Sequence, residues 1–199
     1  MSVITGLPEV SVESLNIDEQ PELALLTARN AVEARLTYLA RLIGGPDRPD
    51  EALRTLEDNG TIERPVARAI QAVLDASNPV AHGATVAPSV AASISFSAVT
   101  LVRSLDELIE ATTRKIREMP ASVRLSYAYL SLPARLRKAV ADEIGIVPEG
   151  ALPHEREYAR AVFKTAKTEQ RIADLWTAVS RHTGLIAADA NPFKGAGNE

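Results

Sequence analysis

Cysteine is absent from the chain, which excludes disulfide frameworks, thiolate zinc sites and a cysteine nucleophile, and suits a reducing compartment. Aromatic residues are only 4% of the composition, too few for a platform on which successive bases stack. The three histidines, His82, His154 and His182, stand far apart in the sequence, so no helical pair is available to hold a metal. A Gly-rich phosphate loop and a Gly-x-Ser-x-Gly elbow are both missing. No metal site and no cofactor are therefore expected. Runs alternating with the two-residue period of a strand are missing as well, and no repeat recurs at solenoid spacing.

What is present is a helical sequence of 199 residues with 46% hydrophobic content, enough for a sizeable core. Leu25, Ala28, Val32, Leu36, Leu39 and Ile43 recur every three or four positions, which predicts an amphipathic helix from Pro21 to Ile43 ended by Gly44-Gly45-Pro46. Pro49, followed by Asp50 and Glu51 and closed by Asn59-Gly60, predicts a short second helix over 49–58. A third opens at Pro65 and is expected to stop before Asn78-Pro79, because proline disfavours the α conformation in the residue before it. The connector 78–88 then reads as a loop. A fourth helix from about Ser89 to Arg117, rich at first in Ala and Ser, reads as the central one.

Beyond Pro120 shorter helices are expected over 121–130 and 133–144. Between Pro153 and Gly184 the apolar face shifts azimuth from Ala159, Val162, Phe163 and Ala166 to Ile172, Leu175, Trp176 and Val179, which predicts a break near Thr168. The expected fold is all-α: a bundle over 20–118, a helical appendage over 119–186, a flexible start over 1–19 and a disordered tail over 187–199.

Charge divides the chain. Residues 1–102 hold 7 Lys/Arg against 13 Asp/Glu, and residues 103–182 hold 14 against 11, an asymmetry consistent with two functional regions but too slight for a typical nucleic-acid-binding domain. Five acids precede the first cation, Arg29, which argues against a signal or transit peptide. The uncharged run Ala76–Val102 carries two prolines, His82 and several serines, so it reads as a turn and a buried helix rather than a membrane span. A cytoplasmic protein is expected.

Three stretches carry the site expectations. Ala28-Arg29-Asn30-Ala31-Val32-Glu33, Leu56-Glu57-Asp58-Asn59-Gly60-Thr61-Ile62 and Ala76-Ser77-Asn78-Pro79-Val80-Ala81-His82-Gly83 together resemble the HEPN superfamily, helical nucleotide-binding and ribonuclease-like domains of bacterial defence and toxin–antitoxin systems. The resemblance spans residues 20–110 and implies a polar Asn78/His82 turn between the last two bundle helices. In active HEPN ribonucleases an Arg lies shortly ahead of the His, to stabilise phosphorane charge while the imidazole moves the proton. Here Ser77, Ala76 and Asp75 stand in its place. The resemblance therefore implies a non-catalytic, self-associating module, a homodimer. The alternative is an RNA-directed enzyme whose cation comes from elsewhere, for example Arg29. Read without the resemblance, Asn78 caps a helix and His82 bonds within a buried turn.

Arg156, Arg160, Lys164 and Lys167 stack on one helix face, either as a solvated surface or as a contact for an anionic partner such as nucleic acid. Arg135, Arg137 and Lys138 form a weaker cluster of the same kind. The layout of 121–184 is also similar to death-like, effector-associated domains of bacterial conflict systems, which implies a protein partner for the C-terminal helices. The plainer alternative is extra bundle helices with Trp176 as a core anchor.

Overall fold

A computed structural model describes residues 7–11, 14–168 and 170–194. Its described residues form eight helices and no strand, in the order α1 (Pro21–Leu42), α2 (Pro49–Asp58), α3 (Arg64–Ala81), α4 (Pro88–Arg117), α5 (Ala121–Leu130), α6 (Ala134–Glu143), α7 (Arg156–Thr168) and α8 (Ile172–Ser180). They divide into two compact units, at a boundary other than the expected one near 118. One holds the described residues up to Ala40 together with 48–110, and the other holds 41–47 together with those from Ala111 onward.

In the first unit α1 is the core helix. Leu25, Ala28, Val32, Leu36 and Leu39 are fully buried, and each leucine contributes about 2 kcal/mol by leaving water. Charge is buried with them: Arg35, 5% exposed, donates to Asp106 Oδ1 at 2.8 Å and to the Pro8 carbonyl at 2.8 Å. A buried guanidinium needs such partners, and here they fix the segment before α1, where Leu15 is also buried. The expectation of a flexible start over 1–19 is corrected for its described residues. Residues 1–6, 12 and 13 lie outside the description.

Helix α2 packs on α3 and buries Ala52, Leu53 and Leu56. Helix α4, expected at the centre, instead presents only one face inward, through Ala91, Ser95, Ala98, Val102, Leu105 and Ile109. By length and composition it is long and apolar enough to cross a membrane, with 33% of that window buried inside the protein.

The second unit buries Leu125, Tyr129, Val140, Val162, Leu175, Trp176 and Val179, with α5 and α6 both packed on α8. The expected break near Thr168 is present. Gln170 adopts a left-handed φ of 58°, a conformation that costs a non-glycine residue about 1 kcal/mol, and the Arg171 amide donates back to the Ala166 carbonyl at 2.7 Å. Residues 187–194 are not a loose tail. Trp176 Nε1 donates to the Ala187 carbonyl at 2.8 Å, Asn191 Nδ2 donates to the Ala173 carbonyl at 2.9 Å, and Phe193 meets the Trp176 ring edge-on at 5.8 Å. Residues 195–199 lie outside the description.

Candidate functional site

Helix α3 does not stop at Asn78 but runs through Pro79 to Ala81, so Asn78 is a residue of the helix and the connector shortens to 82–87. Burial overrides the local preference. Ser77 and Val80 are both buried, at 0% and 7% exposure, and the Ser77 hydroxyl donates to the Val73 and Leu74 carbonyls at 2.7 and 3.0 Å. Pro79 removes a single amide donor, the one that would meet the Asp75 carbonyl, in the last turn of the helix. His82 caps the helix, its amide donating to the Pro79 carbonyl at 3.1 Å, and Gly83 turns the chain with φ of 89°.

Asn78 and His82 are both exposed, which corrects the expectation of a helix cap and a buried imidazole. Four positions apart at the end of one helix, they share a face. Onto that face α1 delivers Arg29, whose Nη1 donates to Asn78 Oδ1 at 3.4 Å and whose Nε donates to Glu33 Oε1 at 2.8 Å. Arg29, the cation considered for the enzymatic alternative, is thus brought to the polar turn. Among the described residues it makes no hydrogen bond to the imidazole of His82. The arrangement offers an amide, a guanidinium paired with Glu33 and an exposed imidazole to a polar ligand.

The cationic stripe is also real in space. Arg156, Arg160, Lys164 and Lys167 are all exposed on α7, and Arg160 pairs with Glu157 at 3.3 Å, a surface contact of little energetic weight. The weaker cluster does not hold together. Arg135 and Lys138 are exposed, but Arg137 is buried at 4% exposure and donates to Asp47 Oδ2 at 3.2 Å. Desolvation lowers the Arg137 pKa, partly offset by Asp47. Lys138 turns instead to Asp142 at 2.6 Å, a hydrogen bond that raises its pKa.

Two concavities escaped sequence reading. One is a groove of about 950 Å³ between α3 and α4, floored by Ala69, Ala72 and Ala76 and flanked by Ile94, Phe96 and Leu101, with no charged residue in its lining. Its signal was present in the Ala69, Ala72, Val73, Ala76 spacing, which places four small residues on one helical stripe. The other is a cleft of about 540 Å³ between α5 and α7 that takes in Arg156 and Arg160. Among the described residues no group of three His, Asp or Glu is placed to hold a metal ion.

No protein-family model, curated protein or solved structure matches the chain.

Proposed function

We propose that this chain is a helical interaction module of HEPN-like type over residues 20–118, acting by self-association and not by chemical turnover. The observation that carries the reading is the α3–α4 groove. Phe96 stands 61% exposed in a lining of alanines, serines and other uncharged residues, on a stretch of α4 without charge. An exposed apolar patch of this kind marks a surface that is covered in use. The same face carries a projecting ring and a recess floored by small side chains, which is the self-complementary combination a two-fold interface requires. Helix α1 turns almost all of its apolar residues inward, so association falls to α3 and α4. Light scattering and sedimentation velocity over a concentration series test this. A dimer that becomes monomeric in Phe96→Asp and in Ala76→Arg supports the proposal, and a monomer at every concentration sinks it.

A second reading is favoured by one contact, that of Arg29 with Asn78. It makes the chain an RNA-directed enzyme in which Arg29 stabilises phosphate charge and His82 moves a proton. Cleavage of total RNA by the native protein, abolished in both Arg29→Ala and His82→Ala, would replace the first reading with this one. Equal cleavage by all three proteins, or none by any, removes it.

A further inference from the structure

The cleft between α5 and α7 lies wholly within the second unit, well apart in sequence from the groove just described. Its walls are apolar: Ile43, Val123, Leu130 and Phe163. At its mouth stand Arg156 and Arg160, and no carboxylate lines it. Arg160 is partly balanced by Glu157, but Arg156 has no ion-pair partner among the described residues. The Arg156 guanidinium lies over Gly44, with its Nη2 only 3.5 Å from where a Cβ would stand. Gly44 has φ of 71°, so the turn that brings the backbone there also keeps the space open. Ser122, Ser126 and Tyr127 complete the lining.

The loop carrying Ile43 and Gly44 is anchored from behind. Asp47 accepts from the buried Arg137 at 3.2 Å and pairs with Arg41 at 3.5 Å, and Arg41 Nε donates to the Ser131 carbonyl at 3.1 Å. Phe163 is held on the opposite side by an edge-on contact with Tyr129, at 5.6 Å between ring centres. A cleft with two fixed walls, a volume in the small-ligand range and the guanidinium of Arg156 without an ion-pair partner among the described residues is built to discriminate. We infer that it binds a small organic anion, with the carboxylate, sulfonate or phosphate on Arg156 and Arg160 and an aryl or acyl body between Val123, Leu130 and Phe163. Arginine suits such groups because its planar fork meets two of their oxygens at once. The inference stands independently of the proposed self-association.

The test uses the full chain and two fluorescent probes of matched shape, anilinonaphthalene sulfonate and the uncharged phenylnaphthylamine. The sulfonate is expected to bind saturably, one per chain, and more weakly as salt rises. Arg156→Gln with Arg160→Gln, both exposed positions that leave the core untouched, should weaken the sulfonate by about tenfold and the neutral probe by less than about twofold. Ser126→Trp, which fills the cleft, should remove both. Phe96→Ser in the α3–α4 groove should change neither. Sulfonate binding that survives the double Gln substitution, or that is lost with Phe96→Ser, overturns the inference, as does failure of the sulfonate to bind at all. An acidic peptide that competes in place of the sulfonate, while the sulfonate itself does not bind, would assign the cleft to a protein partner and would also overturn it.

Discussion

The guanidinium of Arg137, buried at 4% exposure, reaches Asp47 Oδ2 at 3.2 Å across ninety positions of sequence. Their pairing joins α6 to the loop after α1, and burial lowers the Arg137 pKa in spite of Asp47, so the pair is held against a desolvation cost. Asp47→Ala would leave a buried cation without its counter-charge. The expected loss is about 2–3 kcal/mol, less than the ~3–5 kcal/mol of a fully buried pair, because the Asp47 side chain is 31% exposed. Asp47→Leu combined with Arg137→Met should recover most of that loss, since two apolar groups need no partners. Urea unfolding of the three variants at neutral pH checks this.

Tyr129 gives a pH dependence. Its hydroxyl donates to the Arg137 carbonyl at 2.8 Å, and burial, reinforced by Tyr158, pushes its pKa well above the ordinary 10.0. A raised folded-state pKa means that the unfolded chain gives up its proton first as pH rises. The contribution of Tyr129 is therefore intact below pH 10 and is lost progressively above it. Tyr129→Phe should flatten that alkaline loss and cost about 1 kcal/mol at neutral pH for the missing hydrogen bond. Stability measured by denaturant at several pH values separates the two effects.

Helix placement was legible where side-chain periodicity and breaker residues agreed. Leu25, Val32, Leu36 and Leu39 marked α1, and the azimuth shift between Ala166 and Ile172 marked the end of α7. Local rules failed at Pro79, because a proline's preference of a few kcal/mol is outweighed when Ser77 and Val80 on either side are buried. They failed again at residues 187–194, which read as a polar, Gly-rich end until Asn191 is seen bonded to the Ala173 carbonyl and Phe193 against the Trp176 ring. The spacing of Arg156 and Arg160 located half of the α5–α7 cleft. Its other half, Ile43 and Gly44, comes from a loop more than a hundred positions earlier, a juxtaposition that helical periodicity does not encode.

Pro79 leads to a further expectation. Lacking an amide hydrogen, it leaves the Asp75 carbonyl without the donor an α-helix would supply, while the rest of the turn is intact. Pro79→Ala restores that donor but enlarges the conformational freedom of the unfolded chain. The gain should exceed the loss, because the native turn is already helical, and a net stabilisation of about 1 kcal/mol is expected. Thermal unfolding followed by far-ultraviolet circular dichroism measures it. A destabilised variant would mean that the proline's rigidity matters more here than its missing hydrogen bond.

Trp176 is the one tryptophan in the chain, so intrinsic emission reports on its surroundings alone. The ring is fully buried, with Arg124 stacked at 5.2 Å on one side and Phe193 edge-on at 5.8 Å, and its Nε1 is satisfied by the Ala187 carbonyl. Native emission should therefore be blue. Asn191→Ala removes the hydrogen bonds to the Ala173 carbonyl and the Thr177 hydroxyl, at 2.9 and 3.2 Å, that tie 187–194 to α8. The expected result is a red shift and stronger quenching by acrylamide, with a stability loss of about 1–2 kcal/mol. Phe193→Ala should shift the emission in the same direction while leaving the Asn191 hydrogen bonds in place. If both variants kept the native spectrum, residues 187–194 would not be what covers Trp176, and the hydrogen bond from Nε1 would have to be sufficient by itself.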